Sequence, residues 1–286
     1  INTASGKVGY ILFNTFSPYA SEEAIATAMS TMQNEGVSDL VLDLRYNGGG
    51  LLAVASQLSY MIAGDARTAG RTFEQLQFNA NAGNANPVTG EINDPIPFFD
   101  TGLGFSLTSG TPLDTLNLNR VFILSTGGTC SASEAVINGL RGIDVEVILI
   151  GNVTCGKPYG FYPTDNCGQT YYTIQFRGVN DKGFGDYSDG FVPNNSGFQF
   201  GERLSGCVVN DDLTRELGDA QEDLLEAALA YRESQTCPSL SSSTSKGVSS
   251  SDKKTAPTDN AELATTDLTH GQIIMQNSRD MRMPND

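Results

Sequence analysis

Strand-like apolar runs alternate with helix-like segments over the first 237 residues, and this alternation constrains the fold more than any other feature of the chain. Four predicted strands are rich in β-branched and large apolar residues: 7–13, 39–45, 120–125 and 145–151. Helical periodicity covers three further segments: 21–36, 51–64 and 131–142. Strands that are apolar throughout are typical of a parallel sheet covered on both faces. The pattern therefore predicts an α/β domain with βαβ crossovers, a largely parallel sheet and flanking helices.

Other parts of the chain depart from this pattern. Residues 65–119 are rich in Asn, Gly, Thr and Pro, which predicts a long irregular excursion from the core. A further strand is predicted at 170–176, and an acidic amphipathic helix at 219–234 closes the domain. The composition then becomes rich in Ser and Thr. We therefore assign residues 1–237 to one domain and residues 238–286 to a linker and tail.

The formal net charge of −16 limits the classes of molecule that the chain can bind. A surface this acidic repels phosphate backbones, which argues against nucleic acid and anionic membranes as partners. No apolar run approaches the roughly 20 residues that a membrane span needs, and no signal peptide is evident. The sequence opens on Ile1 directly before a predicted strand. An export leader is therefore expected to lie outside this chain.

Five cysteines bear on the redox environment of the protein. They form no CxxC pair, and together with a single histidine, His270, they predict no zinc site. Cys155 and Cys167 flank a stretch rich in Pro and Gly that can bring them together. We weigh a disulfide between these two residues against two small buried thiols. A disulfide would indicate an oxidising compartment, the periplasm or the cell exterior.

A serine hydrolase needs a nucleophile, a base and donors for the oxyanion, and lysine is the candidate base in this chain. The single histidine lies in the polar tail, which argues against a Ser-His-Asp triad. Lys157 follows an apolar strand within a tight turn, where it can lose much of its hydration. To act as a base near neutral pH, its pKa must fall by roughly 3 units, at a cost of about 4 kcal/mol. The alternative is a solvated surface lysine.

Ser131 is the candidate nucleophile, because it follows a strand and a glycine-containing turn and begins a helix. At that position backbone N–H groups and the positive end of the helix face an oxyanion. The alternative is an ordinary helix N-cap. Ser133 is the competing nucleophile, and Glu134 is interpreted only as an acidic residue of the first helical turn.

Three consecutive glycines, residues 48–50, stand between a predicted strand and a predicted helix. Neither a GK[ST] nor a GxGxxG pattern accompanies them, which argues against a phosphate-binding loop. Their N–H groups can instead face a substrate carbonyl. The alternative is a tight turn between strand and helix.

Four segments, taken in order, resemble the motifs of the S41 serine peptidases, the family of the C-terminal processing and tail-specific proteases. They are VLDLRYNGGG (41–50), TCSASEAVINGL (129–140), VILIGNVTCGKP (147–158) and the weaker TIQF…DGFVPN (173–194). Each motif is weakly specific alone, but four in the family's order and spacing are highly specific. The resemblance covers residues 7–234 and implies a core related to the ClpP/crotonase fold.

The resemblance also implies roles for individual residues. It assigns Ser131 as the nucleophile and Lys157 as the general base, with Ser133 in a supporting position. It implies an oxyanion hole formed by Gly48 or Gly49 together with the N–H of Ala132.

Two features depart from the family pattern. Processing peptidases place an orienting glutamine four residues after the lysine, where this chain has Phe161. The segment that follows resembles an insertion, so we consider Gln169 as a residue that returns to the same place. The PDZ domain common in the family has no counterpart in the sequence, and a position upstream of Ile1 is left open.

The sequence thus predicts a Ser/Lys endopeptidase that acts on extended or unfolded polypeptides and needs no metal or cofactor. The alternative is an inactive S41-fold protein that binds peptides or serves as a scaffold, which the missing glutamine favours. Acyl-CoA chemistry on a crotonase-like fold is a third hypothesis, but it does not explain the SASE and TCGK elements. The tail is expected to lie against the core or to enter a cleft as a substrate mimic.

Overall fold

The computed structural model describes residues 1–81, 83, 85–86, 90, 92–162, 164–238 and 279–280. Its strands, in chain order, are β1 (Asn2–Thr3), β2 (Gly6–Leu12), β3 (Asp39–Asp43), β4 (Gly50–Leu51), β5 (Thr72–Phe78), β6 (Ile96–Pro97), β7 (Arg120–Ser125), β8 (Glu146–Gly151), β9 (Tyr159–Gly160), β10 (Thr164–Asn166), β11 (Gln169–Tyr171), β12 (Phe176–Val179), β13 (Phe191–Pro193), β14 (Glu202–Leu204), β15 (Gly206–Val208) and β16 (Arg279–Asp280). Its helices are α1 (Ser21–Asn34), α2 (Leu52–Ala63), α3 (Asp65–Thr68), α4 (Ala132–Gly142) and α5 (Asp223–Ser234). Apart from residues 279–280, the predicted linker and tail lie outside the described residues.

A six-stranded sheet forms the centre of the domain, in the order β1-β2-β3-β7-β8-β15. Neighbouring strands from β2 to β15 run parallel, and β1 adds to the edge of β2 in the antiparallel direction. All of the residues of β3 are buried. The carboxyl ends of β3, β7 and β8 lie side by side at one edge, and the chain turns that follow these three strands carry the candidate site.

The central strands divide their side chains between two hydrophobic clusters on opposite faces of the sheet. Leu40 and Leu42 belong to the cluster that includes α1, α2 and α4, whereas Val41 belongs to the cluster that includes α5. In β7, Ile123 and Phe122 divide in the same way. Side chains alternate across a strand, so a sheet covered on both faces needs apolar residues at every position. This requirement explains why the strands are apolar throughout.

The excursion predicted at 65–119 is only partly irregular. It contributes β5 and β6 to a second sheet of order β6-β5-β12-β9, in which every pairing is antiparallel. The strand predicted at 170–176 is wrong in its bounds, because its two ends pair with different partners. Its first two residues belong to β11, which pairs with β10, the exposed Ile174 lies in no strand, and Phe176 begins β12.

The carboxyl-terminal helix α5 packs on the sheet face opposite α2 and α4 and is fastened to it by a disulfide. Cys237, which follows α5, is bonded to Cys207 of β15. The fastening is consistent with a domain that extends to residue 237. No helix in the described ranges has an apolar stretch long enough to cross a membrane.

Arg45, directly after β3, is fully buried and joins the sheet to α5. Its guanidinium donates to Asp43 at 3.0 Å, to both carboxylate oxygens of Glu222 at 2.8 and 2.9 Å, and to Asp211 at 2.8 Å. Burial by itself would lower the pKa of Arg45, but hydrogen bonds to these carboxylates outweigh burial and raise it. Glu222 also caps α5 by accepting from the N–H of Leu225. A single buried cation therefore joins three carboxylates beneath the site, those of Asp43, Asp211 and Glu222.

Replacing Arg45 with methionine is expected to lower the free energy of unfolding by about 3–5 kcal/mol, because the buried carboxylates lose their cation. The midpoint of urea unfolding measures the loss. Lys7→Met serves as the control, since Lys7 makes an exposed ion pair with Glu35 and should leave the midpoint nearly unchanged. Equal midpoints for the two variants would contradict the role assigned to Arg45.

Candidate active site

Ser131 has a backbone conformation that side-chain-bearing residues rarely adopt. It follows β7 and the turn 126–130, immediately precedes α4, and has φ 58° and ψ −111°. Such a conformation costs about 1–3 kcal/mol and persists only where surrounding contacts impose it. A strained turn between a strand and a helix is also how α/β hydrolases present a nucleophilic serine. The backbone of Ser131 therefore resembles that of a hydrolase nucleophile and not that of an ordinary N-cap.

The hydroxyl of Ser131 is buried at the start of α4. The N–H of Glu134 faces it in a capping-box arrangement, but Ser131 Oγ makes no hydrogen bond of ordinary geometry to any described residue. The neighbouring hydroxyl differs, because Ser133 Oγ donates to the carbonyl of Asn47 at 2.9 Å. A hydroxyl without a partner is available for chemistry, whereas one engaged with the backbone is not. The contrast favours Ser131 over Ser133 as the nucleophile.

Glu134 connects the turn that carries Ser131 with the turn that carries Lys157. Its side chain is fully buried, and Oε2 accepts from the N–H of Ser131 at 3.0 Å and from the N–H of Lys157 at 2.8 Å. Its other oxygen, Oε1, accepts from Thr154 Oγ1 at 2.6 Å and from the N–H of Gly156 at 2.8 Å. One oxygen thus holds the backbone nitrogens of Ser131 and Lys157 within two hydrogen-bond lengths of each other.

Burial raises the pKa of Glu134, while the hydrogen bonds from Thr154 and from three backbone N–H groups act in the opposite direction. A carboxylate that accepts several N–H bonds is stabilised in its charged form. The residue that sequence reasoning took for a first-turn acid therefore organises both turns. The spacing Ser-x-x-Glu is a capping-box pattern and could have indicated a bond to the N–H of Ser131. It carries no signal for the distant donors at 154–157.

Lys157 is half-buried in the turn that follows β8. The preceding Gly156 has φ 78°, and a Cβ there would lie 2.2 Å from the carbonyl oxygen of Ser188. Only glycine fits that position, which fixes the path of the turn and the point from which the lysine side chain leaves. The structure thus brings the backbones of Ser131 and Lys157 together, as their positions after the neighbouring strands β7 and β8 require.

The glycine loop packs directly against the start of α4. At Gly49, φ is 107°, and an added Cβ would lie 2.8 Å from Ser131 Cβ and 3.0 Å from the nitrogen of Ala132. The N–H of Gly49 donates to Asn47 Oδ1 at 2.9 Å. In the described part of the chain, no partner is found for the N–H groups of Gly48 and Ala132. Of the predicted oxyanion donors, these two are therefore the ones not already engaged.

Asn47 anchors this loop and was missed by sequence reasoning. Its Nδ2 donates to the carbonyl of Phe13 at 2.8 Å, and its own carbonyl accepts from the N–H of Cys130 at 3.0 Å. The side chain is fully buried. The same residue therefore joins the segment that directly follows β2, the glycine loop and the turn before Ser131.

The predicted disulfide between Cys155 and Cys167 is wrong. Cys155 is bonded to Cys130, with 5.3 Å between their Cα atoms, and Cys167 is a free, exposed cysteine. The physical reason is topological. Cys130 and Cys155 follow adjacent parallel strands, whereas the turn of the β10–β11 hairpin holds Cys167 away from the core.

Gln169 does not take the orienting position expected of it. It begins β11, where it pairs with Asn166, and its side chain is exposed. Its Oε1 accepts from the hydroxyl of Tyr171 at 3.4 Å. Phe161, at the position where the family has glutamine, is buried and stacks edge-to-face on Tyr172.

A short strand from the distal part of the chain pairs with the edge of the glycine loop. β16 runs parallel to β4, with Arg279 opposite Gly50 and Asp280 opposite Leu51. It also lies beside β9, which follows Lys157 by two residues. These two residues of the predicted tail therefore lie next to both β4, at the end of the glycine loop, and β9, shortly after the lysine turn.

The fold and this arrangement define a class, the α/β proteins that present a strained serine between a strand and a helix. The match to a family is more specific. The model of peptidase family S41 matches residues 7–164, and the chain belongs to this family of serine peptidases.

Solved structures are similar to the chain over most of its length. A crystal structure described as an S41 protease from Bacteroides fragilis NCTC 9343 shares 27% identity, with a TM-score of 0.65, over 82% of this chain and 57% of that protein. The photosystem II D1 C-terminal processing protease shares 21% identity, with a TM-score of 0.46, over 69% of this chain and 42% of that one. A lipoprotein from Streptococcus agalactiae shares 14% identity, with a TM-score of 0.49, over 82% of this chain and 69% of that one. The chain spans little more than half of the length of the Bacteroides protein. No curated protein matches the sequence significantly.

Proposed function

We propose that the chain is a serine endopeptidase that hydrolyses peptide bonds in extended or unfolded polypeptides with a Ser131/Lys157 dyad. The observation that carries this proposal is the arrangement around Glu134, which draws the strained Ser131 and the lysine turn onto one carboxylate oxygen. A fold related to the ClpP/crotonase class is part of the same proposal. Its support is the succession of parallel strands and crossover helices in the central sheet.

Each step of the proposed reaction has a group to perform it. Ser131 Oγ attacks the scissile carbonyl while neutral Lys157 removes its proton and then returns that proton to the leaving amine. The N–H groups of Gly48 and Ala132 stabilise the oxyanion. A water molecule, deprotonated by the same lysine, then releases the acyl group from Ser131. The reaction as written requires no metal or cofactor.

The pairing of β16 with β4 supports an extended chain as the substrate. A strand that adds to an open edge gains backbone hydrogen bonds without regard to its sequence. The edge at Gly50 and Leu51 already accepts such a strand beside the proposed oxyanion donors. A bound polypeptide would compete with residues 279–280 for this edge, which is consistent with the substrate mimicry expected of the tail.

We also propose that the protein works in the periplasm or outside the cell. Two disulfides, Cys130–Cys155 and Cys207–Cys237, support this location, since such bonds persist in oxidising compartments. The acidic composition supports polypeptides as partners over nucleic acid.

The second candidate function is an inactive peptide-binding or scaffold protein of the same fold. It is favoured by the exposed position of Gln169 in the β10–β11 hairpin, because this residue does not take the place of the orienting glutamine usual in the family. The strained backbone of Ser131 weighs against it, as does its hydroxyl, for which the described residues supply no hydrogen bond of ordinary geometry, because a scaffold gains nothing from either property.

A fluorophosphonate probe tests the endopeptidase proposal. We expect the probe to label the intact protein at Ser131 and to label Ser133→Ala equally well. Ser131→Ala and Lys157→Met should lose labelling together with cleavage of an unfolded polypeptide. Labelling that survives Ser131→Ala would overturn the assignment of the nucleophile. An intact protein that is neither labelled nor active would instead support the scaffold.

A further inference from the structure

The Cys130–Cys155 disulfide lies next to both members of the proposed dyad. Cys130 directly precedes Ser131, and Cys155 stands two residues before Lys157. We propose that this disulfide is a positioning element for the dyad, so that hydrolysis requires the bond to be intact. The proposal rests on the endopeptidase function proposed above.

The bond adds a covalent link where the backbone supplies only hydrogen bonds. The N–H of Cys155 donates to the carbonyl of Thr129 at 3.1 Å, and Glu134 binds the N–H groups of Ser131 and Lys157. The unfavourable φ of Ser131 opposes this arrangement, because a relaxed backbone would turn the serine away. A covalent link one residue before the serine resists that relaxation at the point where it would begin.

Reduction would also place a new donor beside Glu134. The sulfur of Cys155 lies 3.6 Å from Glu134 Oε2, the oxygen that binds both Ser131 and Lys157. In the disulfide this sulfur carries no hydrogen. A dithiol reductant transfers two electrons and two protons, which gives two cysteine thiols and leaves the reductant as its own cyclic disulfide. The new S–H of Cys155 would then compete for the oxygen that holds the two turns together.

Both sulfur-bearing residues are accessible enough for this chemistry to occur. Cys130 and Cys155 are each partly exposed, whereas in the second disulfide Cys207 is almost fully buried and Cys237 is exposed. A soluble dithiol can therefore reach the bond beside the site in the folded protein.

The second disulfide supplies a matched control. Cys207 and Cys237 are separated by 30 residues, compared with 25 for Cys130 and Cys155. The effect of a disulfide on the unfolded chain depends on loop length, so the two bonds should restrict it almost equally. Cys207–Cys237 fastens α5 to β15 and touches neither turn of the site. If removal of Cys130–Cys155 lowers catalysis and removal of Cys207–Cys237 does not, the cause is the place of the first disulfide beside the site and not a general loss of stability.

The experiment compares Cys130→Ala/Cys155→Ala with Cys207→Ala/Cys237→Ala, both in a Cys167→Ser background that prevents exchange with the free thiol. On one peptide substrate, we expect kcat of the first variant to fall at least tenfold with KM within twofold. The control should keep both constants within twofold of the parent. The control protein, which retains only Cys130–Cys155, should lose activity in dithiothreitol and regain it on reoxidation. Equal kcat values for the two variants would overturn the proposal.

Amide hydrogen exchange at Ser131 and Lys157 tests positioning without requiring catalysis. We expect exchange of these two amides to be at least tenfold faster in Cys130→Ala/Cys155→Ala and unchanged in the control. Unchanged exchange in both variants would overturn the positioning role, whether or not the protein hydrolyses peptides. If these amides exchange faster in Cys130→Ala/Cys155→Ala but the fluorophosphonate probe does not label the parent protein, the disulfide keeps its positioning role and the endopeptidase function is rejected.

Discussion

Ser131→Gly should yield a protein that is as inactive as Ser131→Ala but more stable by about 1 kcal/mol. Both variants lack the hydroxyl, so both should lose at least about 10³-fold in kcat/KM for a peptide substrate. They differ in the backbone, because alanine keeps a Cβ at φ 58° and glycine does not. The greater freedom of glycine in the unfolded chain offsets part of the relieved strain. Urea unfolding measures the stability, and steady-state hydrolysis measures the activity.

Ser133 offers a control of the opposite sign. It lies in the first turn of α4, among residues of ordinary helical conformation. There glycine should be less stable than alanine by about 1 kcal/mol, as in other helices. The same order of stability at both positions would contradict the strained backbone assigned to Ser131.

Replacing Glu134 with alanine is expected to lower the free energy of unfolding by at least about 3 kcal/mol. The change leaves one buried and two partly buried N–H groups and the hydroxyl of Thr154 without their acceptor, and each buried unsatisfied group costs about 1–3 kcal/mol. Glu134→Gln should also destabilise the protein, because its amide would direct N–H donors at the N–H groups that the carboxylate now accepts. Hydrolysis should fall in both variants, since the turns of Ser131 and Lys157 lose their shared oxygen.

Glu23 provides the matched control for Glu134. It is also a glutamate in the first turn of a helix, α1, but its side chain is exposed. Glu23→Ala should change the free energy of unfolding by less than about 1 kcal/mol and leave hydrolysis unaffected. Comparable losses for the two glutamates would indicate that Glu134 contributes only through the helix dipole. The urea midpoint and the rate of peptide cleavage distinguish these outcomes.

The local pattern of apolar residues predicted the central sheet and its helices well. The strand predicted at 120–125 coincides with β7, and the helix predicted at 131–142 differs from α4 by one residue. These elements are apolar enough, or periodic enough, for burial to determine them. The segment 65–119 was not predictable in this way. Its strand β5 pairs with β12 about a hundred residues further along the chain, and no local pattern carries that pairing.

Some residues of the candidate site could be predicted from local motifs, and others could not. The motifs led to Ser131, Lys157 and the glycine loop, and the fold brings all three to one edge of the sheet. The partner of Cys155 could not be found from spacing, because sequence distance favoured Cys167 whereas the parallel strands bring Cys130 close. Asn47 was overlooked for a comparable reason, since its value lies in three contacts with segments remote in sequence.

The sequence by itself determined the alternation of strands and helices, the absence of a histidine base near the motifs, and the candidacy of Ser131 and Lys157. Those properties depend on residue type and local periodicity. Only the tertiary structure decided that the backbone of Ser131 is strained, that Glu134 binds both turns, and that Cys130 is bonded to Cys155. These properties depend on which chain segments meet at the ends of neighbouring strands. That meeting is set by packing of the whole sheet, and no single segment encodes it.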